Sequence, residues 1–397
     1  MLLKVAMYSH DSVGLGHARR NRAIAHALAE YLPALTGQEV SGFLIAGHPD
    51  ATQDSLPAGW DWLVLPGYAR VAEGYAARSL GFAVEELVDL RAAAVRAALE
   101  AVGPDLFIAD RHPFGVGDEL RPALEMLRAR HQTTTILGMR EVLDTPSVVQ
   151  QEWEDIGGAE AAAAMYDAVW IYGDEAVHNP LATGELPALF TDRAYFTGYL
   201  SKGRPADVGE DAEVPYVLTI VGGGSDGGHI TRAAAAARVP PGHRHLIVTG
   251  PQMPSDDVRA ARSLAAANLD AGRIKVLHSA SNVPALIREA AAVVSMAGYN
   301  SLAEVMATST PALVVPRNTR RAEQPMRASD LAALGAVDVL PAERLSPTAL
   351  GEWFAGAVHR RTTREGIRLD GLAEVGRLAA ELINSRHSDV KVPDHAA

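Results

Sequence analysis

The sequence contains no cysteine. Disulfides, thiolate metal sites and a cysteine nucleophile are therefore excluded. No run of 18 uninterrupted apolar residues occurs, so no transmembrane helix is expected. The opening stretch, Met1 to Tyr8, is too short for the apolar region of a signal peptide and reads as a strand. A cytoplasmic protein is the expectation. Positive charge is in deficit: 36 Lys and Arg face 48 Asp and Glu, for a net charge of −12. That balance argues against an electrostatic nucleic-acid binder. There is no Asp-x-Asp motif, and no His/Glu cluster has metal-ligand spacing, so no metal site is expected. The glycine-rich loop described below lacks a Lys-Ser/Thr ending, so it is not a Walker A loop.

What is present is a chain of 397 residues, too long for one ordinary core and suited to two domains. Short apolar runs alternate with helical patterns. Strands are predicted at Leu2–Tyr8, Val40–Ala46, Trp62–Leu65, Pro104–Ala109, Thr133–Leu137, Ala168–Tyr172 and Ala194–Phe196. Helices are predicted over Ala18–Glu30 and Ala83–Val102. Such alternation argues for a parallel sheet covered on both faces. The pattern restarts with a strand at Pro215–Val221, followed by His245–Thr249, Ile274–Leu277, the stretch ending at Val294, and Thr310–Pro316. The fold class is α/β, with two Rossmann-like domains. The expected divisions are 1–200, a linker at 201–213, a second domain at 214–365, a helix at 366–385 and a disordered tail at 386–397. The tail from Ser346 to Ser385 reads as helical.

In open parallel sheets, ligands sit at the carboxyl ends of strands, where helix N-termini present free N–H groups. The polar residues that follow strands therefore become candidates. In the first half these are His17, Asp110, His112, Arg140 and Glu141, with His10, Gly14 and Gly16 in the first loop. Gly14-Leu15-Gly16 is followed by His17-Ala18-Arg19, which is not the dinucleotide fingerprint. A histidine titrates near neutral pH and can take a proton from a hydroxyl. His17 is the first candidate for that role; Asp110 and His112 are rivals for it or orient His17. In the second half, five glycines between Gly222 and Gly228, with Ser225 and Asp226 among them, form a nest of N–H groups suited to an anion. Asn282 is placed to cap a helix starting near Pro284. Arg317, Arg320, Arg321 and Arg327 crowd around Glu323 and Gln324, a cationic loop suited to phosphate.

The most informative stretch is Ser295-Met296-Ala297-Gly298-Tyr299-Asn300-Ser301-Leu302-Ala303-Glu304. It reads as a strand end, a glycine turn and a short helix. Gly298 allows close approach of a ligand. Asn300 and Ser301 cap or bind at the helix start, and Glu304 shares their face. A carboxylate there can accept both hydroxyls of a ribose. Ser301 to Glu304 also fits a capping box. Gly298 to Glu304, Pro311 to Pro316, Arg320-Arg321-Ala322-Glu323-Gln324 and Gly335-Ala336 together resemble the donor half of GT-B glycosyltransferases. The likeness is to the MurG-like branch, which transfers N-acetylglucosamine to lipid I.

The resemblance implies two Rossmann-like domains facing across a cleft, with the C-terminal helix crossing back to the N-terminal domain. It implies a nucleotide-sugar donor, UDP- or dTDP-linked, as co-substrate, no other cofactor, and a small-molecule or lipid-linked acceptor. Glu304 would hold the ribose, Gln324 beside Glu323 the sugar hydroxyls, Val283 the base through its backbone, and Gly223, Gly224, Ser225 and Asp226 the diphosphate. Gly14-Leu15-Gly16-His17 lies where that branch carries its acceptor loop. The same stretch is similar to the opening of PseG-type UDP-sugar hydrolases. Leu137 to Asp144 departs from MurG and is closer to uncharacterised bacterial glycosyltransferases. Transferase, hydrolase and non-catalytic nucleotide-sugar binder all stand at this point.

Overall fold

The structure is a computed structural model, and it describes residues 2–11, 14–53, 55–71, 74–204, 214–280, 282–317 and 321–389. The chain divides into two compact units. One comprises the chain up to Glu175, Asn179–Arg204 and the stretch from Asp370 onward; the other comprises Ala176–His178 and the stretch that follows Arg204 and ends at Leu369. Residues 205–213 of the expected linker and 390–397 of the expected tail lie outside the described residues.

In the first unit the chain runs through β1 (Leu2–Tyr8), α1 (Gly16–Thr36), β2 (Glu39–Ala46) and β3 (Trp60–Val64), then β4 (Tyr68–Val71) and β5 (Gly74–Ala77). It continues through α2 (Val84–Val102), β6 (Leu106–Asp110), α3 (Arg121–Arg130), β7 (Thr134–Arg140), α4 (Pro146–Asp155) and α5 (Ala159–Ala163). Then come β8 (Ala168–Tyr172), α6 (Pro180–Thr183) and β9 (Ala194–Phe196). The sheet order is β3-β2-β1-β6-β7-β8-β9, and every pairing in it is parallel. β1, β6 and β8 are nearly continuous apolar runs because both faces of the sheet are covered. β4 and β5 form a separate antiparallel ribbon that the sequence reading did not anticipate.

In the second unit the order is β10 (Tyr216–Ile220), α7 (Gly228–Ala236), β11 (Arg244–Val248), α8 (Ser255–Ala267), β12 (Ile274–Leu277) and α9 (Val283–Glu289). There follow β13 (Ala292–Ser295), α10 (Tyr299–Met306), β14 (Ala312–Val314), α11 (Glu323–Ala333), β15 (Asp338–Val339) and α12 (Pro347–Ala357). The sheet order is β12-β11-β10-β13-β14-β15, again all parallel. Small alanines of α7 pack directly on the sheet, with Ala233, Ala234 and Ala235 in the core beside Val217 and Ile247.

The helical stretch expected from Ser346 to Ser385 is two helices. Between α12 and the last helix, α13 (Gly371–Asp389), the chain leaves helical geometry. Gly366 adopts φ 85°, and the Arg364 guanidinium turns inward to donate to the carbonyls of Thr308, Thr310 and Ala336. Residues 386–389, expected in a disordered tail, are the end of α13. α13 packs against α1 within the first unit. Its Gly376 is there because a Cβ would lie 2.7 Å from that of Tyr31.

Candidate functional site

Each sheet has one place where the strand order turns back on itself. In the first it lies between β1 and β6, in the second between β10 and β13. At such a point the loops leaving two adjacent strands diverge to opposite faces and open a crevice at their carboxyl ends. The sequence-derived candidates gather at these two points.

At the first, His17 stands on the opening turn of α1, after β1, and Asp110 is the last residue of β6. His17 Nδ1 is 3.1 Å from Asp110 Oδ2. Arg20, one turn along α1, places Nη2 2.7 and 2.6 Å from the two oxygens of Asp110. That nitrogen also lies 2.9 Å from His17 Nδ1. Asp110 is fully buried. Burial pushes its pKa up, but Arg20 and then His17 outweigh burial and leave it at about 2. The carboxylate is thus ionised at neutral pH and can only accept, so its contact with the ring requires the proton on Nδ1. A neutral His17 donating Nδ1–H to Asp110 carries its lone pair on Nε2, the arrangement a general base needs.

His10 and His112 join this group. The His10 ring centroid is 4.6 Å from that of His17 and 4.7 Å from that of His112. His10 is buried, and burial, with His17 and His112 nearby, lowers its pKa well below the ordinary histidine value. His112 follows Arg111, which is held at φ 74° by a backbone N–H bond to the Gly138 carbonyl and by an ion pair from Nη2 to Glu152 Oε2 at 2.6 Å. Gly14 has φ 73° and Gly16 opens α1. Arg140 is the final residue of β7 and half-buried; Glu141 is fully buried against Gly173. Glu141, a candidate for the acceptor side, is thus as buried as Asp110. Among the described residues, no group of three or more His, Asp and Glu could hold a metal ion.

Three supports here were not found by sequence reasoning. Asp11, at φ 43° and fully buried, accepts from Ser9 Oγ at 2.6 Å, Ala18 N–H at 3.0 Å and Gly47 N–H at 3.2 Å. It caps α1 from seven residues away, beyond the reach of any local capping rule. Arg20 was legible in principle, since i,i+3 spacing puts it on the face of His17. Beneath both lies a buried ion pair. Arg91 Nε donates to Glu119 Oε1 at 3.2 Å, and Arg91 Nη2 to the Tyr8 hydroxyl at 2.9 Å, while that hydroxyl donates to Glu119. No local signal announces a pair 28 residues apart.

At the second turning point the glycine loop follows β10. Gly222 and Gly224 adopt φ 62° and 97°. Gly224 is fixed by crowding: a Cβ would sit 2.2 Å from the Thr249 carbonyl oxygen. Gly222, Gly223 and Ser225 are exposed, Asp226 half-buried, and Gly228 opens α7. Beyond β13, Gly298 is the N-cap of α10. The capping box expected from Ser301 to Glu304 is not formed. The helix starts at Tyr299, which leaves Ser301 and Glu304 inside it. Asn300, Ser301 and Glu304 are all half-buried on its first two turns. Asn282 does cap α9, its side chain accepting from Ala285 N–H at 3.3 Å. Val283 is therefore at a helix start, but behind β12, the edge strand two places from β10.

Glu323 and Gln324 open α11, after β14, and both are buried. Two arginines of the expected cationic loop, Arg317 and Arg327, are engaged within the protein. Arg317 is spent on two carboxylates, with Nη1 2.8 Å from Asp226 Oδ2 and Nη2 3.0 Å from Glu323 Oε1. Its backbone N–H donates to Gln324 Oε1 at 3.2 Å. Arg327 is buried and donates to the Ala297 carbonyl at 3.1 Å, bracing the turn before Gly298. Arg320 lies outside the described residues.

Residues 217–364 match the glycosyltransferase family 28 C-terminal domain. That match spans most of the second unit. The chain is 30% identical over 160 residues to a UDP-N-acetylglucosamine--N-acetylmuramyl-(pentapeptide) pyrophosphoryl-undecaprenol N-acetylglucosamine transferase of Lactiplantibacillus plantarum. That match covers 39% of this chain and 42% of the relative, so the chain spans less than half the length of that curated relative. Among solved structures, the glycotransferase of kitacinnamycin superposes with a TM-score of 0.58 at 14% identity, over 99% of each chain. The UDP-GlcNAc 2-epimerase of Neisseria meningitidis, solved with UDP-GlcNAc, gives 0.56 at 12% identity, over 98% of this chain and all of that one. Likeness at this identity shows the fold alone: two Rossmann-like units in one chain, the GT-B architecture.

Proposed function

We propose that this protein is a glycosyltransferase that moves a sugar from a nucleotide-diphosphate sugar to an acceptor hydroxyl with inversion and without a metal ion. The observation that carries the reading is the match of 217–364 to the family 28 C-terminal domain, in which the glycine loop and the start of α10 follow β10 and β13, the two strands at the turning point, and the start of α11 follows the neighbouring β14. In this reading the loop amides of Gly223 to Asp226 and the start of α7 take the diphosphate. Glu304, with Asn300 and Ser301 on its face, takes the ribose, Val283 the base, and Glu323 and Gln324 the sugar hydroxyls. UDP and dTDP are the proposed nucleotides. The lipid-linked acceptor in the name of the Lactiplantibacillus relative makes a lipid-linked acceptor, met at the cytoplasmic side of a membrane, the first to try. Among the described residues no helix is long and apolar enough to cross a membrane.

The chemistry follows from the first unit. His17 Nε2 takes the proton of the acceptor hydroxyl. The oxygen attacks the anomeric carbon from the face opposite the diphosphate, and the glycosyl–phosphate bond breaks as the new glycosidic bond forms. The electron pair leaves on the nucleoside diphosphate, where the loop amides and helix dipole stabilise it. Asp110 holds the imidazolium that forms, as an ionised carboxylate can. His10, His112 and Arg140, with Gly14 and Gly16 opening the loop, are the proposed acceptor side.

One assay tests this. Pure protein is incubated with UDP-sugars, and UDP release is followed with and without acceptor. Acceptor-dependent release supports transfer. Release at full rate in water alone replaces it with a nucleotide-sugar hydrolase, and saturable binding without release leaves a binding protein. His17→Ala is expected to bind UDP and lose turnover; undiminished turnover removes His17 as the base.

A further inference from the structure

The Arg317 side chain joins the glycine loop to the start of α11. Arg317 reaches Asp226, inside the loop, with one nitrogen and Glu323, the first residue of α11, with another. Its backbone N–H fixes the amide oxygen of Gln324. The Asp226 and Glu323 side chains are only 17% and 7% exposed. Two little-solvated carboxylates thus stand beside a loop suited to an anion. Uncompensated, they would repel a diphosphate, and low solvation would strengthen that repulsion. A guanidinium shared by both removes most of it, and its fork geometry fixes their separation.

We propose that Arg317 is a positioning residue of the nucleotide-sugar site: it neutralises Asp226 and Glu323 and pins the glycine loop to α11, rather than holding the diphosphate itself. This rests on the reading of the second unit as a nucleotide-sugar site. It departs from the role a phosphate-facing arginine would have, and the two roles make opposite forecasts. If Arg317 contacts the diphosphate, deleting Asp226's charge cannot restore what Arg317→Met loses. If Arg317 acts by neutralising, deleting the charge restores it.

The test is calorimetric titration of the full-length chain with UDP and with dTDP. The variants are Arg317→Met, Asp226→Asn and Arg317→Met with Asp226→Asn, each checked by its melting transition. Arg317→Met is expected to weaken binding by at least about tenfold, as loss of one partner of a desolvated charge cluster does. The double variant is expected to return to within about threefold of the parent, a strong non-additivity between contacting groups. Unchanged binding in Arg317→Met overturns the proposal, and so does a double variant as weak as the single one. Should Arg317→Met not fold, the triple variant Arg317→Gln, Asp226→Asn, Glu323→Gln carries the test. It removes all three charges together; binding within about threefold supports the proposal and a loss of about tenfold overturns it. A parent protein that binds neither UDP nor dTDP removes the nucleotide-sugar reading itself, an outcome distinct from a parent that binds and an Arg317 variant that binds equally well.

Discussion

Asp110 is a fully buried carboxylate whose charge is kept by Arg20 and His17. Removing Arg20 strands that charge in the interior, which typically costs about 3–5 kcal/mol. Arg20→Met is therefore expected to lower the melting temperature sharply, and adding Asp110→Asn should recover most of the loss. Asp110→Asn alone keeps the shape but offers the ring a weaker acceptor. Turnover is expected to fall by roughly two to four orders of magnitude, with UDP affinity unchanged. The buried ionisable groups also separate by pH. Asp110, depressed to about 2, contributes stability that is present above its unfolded value and lost only as pH falls toward 2. The buried imidazoles act in the same direction but from a higher pH. His245, hydrogen-bonded to the Thr219 hydroxyl and packed edge-on against Phe354, has its pKa lowered by burial to about 3. Unfolding lets it take a proton anywhere between that value and the ordinary histidine pKa, so stability drops with falling pH across that window. Each such histidine adds a slope of about 1.4 kcal/mol per pH unit. His245→Gln, measured by urea denaturation from pH 4 to 6.5, is expected to flatten the curve by about that amount. An unchanged slope would mean that His245 is already protonated in the fold.

At the scale of elements, what the sequence revealed and what it hid have physical causes. Central strands such as β1 and β8 are largely buried on both faces, so their residues are nearly all apolar and the residues after them are polar. The ribbon of β4 and β5 carries neither that run nor an Asn-Gly or Asp-Gly turn, and its alanines and arginine resemble a loop. The capping box misled because Ser301-x-x-Glu304 fits the local rule, while the preceding glycine lets the helix start at Tyr299 instead. The glycine loop itself separates two kinds of glycine. Gly222 has positive φ but open space around its Cβ position, so Gly222→Ala is expected to cost only about 1–2 kcal/mol of backbone strain. Gly224 has positive φ and the Thr249 carbonyl 2.2 Å from where a Cβ would be. No side-chain rotation relieves a clash with backbone, so Gly224→Ala must move the loop. UDP affinity is expected to survive the first substitution and collapse with the second. Equal loss in both would show that flexibility, not fit, is what the loop supplies.

At the scale of the molecule, the restart of the strand–glycine loop–helix pattern after residue 213 showed the second unit in the sequence, because each Rossmann-like unit needs its own sheet and its own core. Which unit the last helix completes was not legible in the residues themselves; that followed only from the resemblance, since an amphipathic helix carries no address. In the structure α13 belongs to the first unit. Leu372, Val375, Leu378 and Ile383 are almost wholly buried there, and Arg386 ties its end to the Thr133 carbonyl and to Asp167. Burying each of the four large side chains is worth about 1.5–3 kcal/mol, and even discounted for a compact unfolded chain the sum approaches the total stability of about 5–15 kcal/mol of an ordinary domain. A chain ending at Leu369 is therefore expected to lose the first unit's cooperative melting transition, and with it sugar transfer. UDP binding belongs to the second unit in the proposed reading, and that unit keeps every one of its strands in the truncated chain. Calorimetry with UDP on the truncated protein should still saturate, with the affinity of the full chain to within about threefold. Gly376→Val is the gentler version, because its side chain would be forced into Tyr31 on α1. It should lower the first transition while leaving UDP affinity alone. If both changes abolished nucleotide binding as thoroughly as transfer, the division of labour between the two units would be wrong.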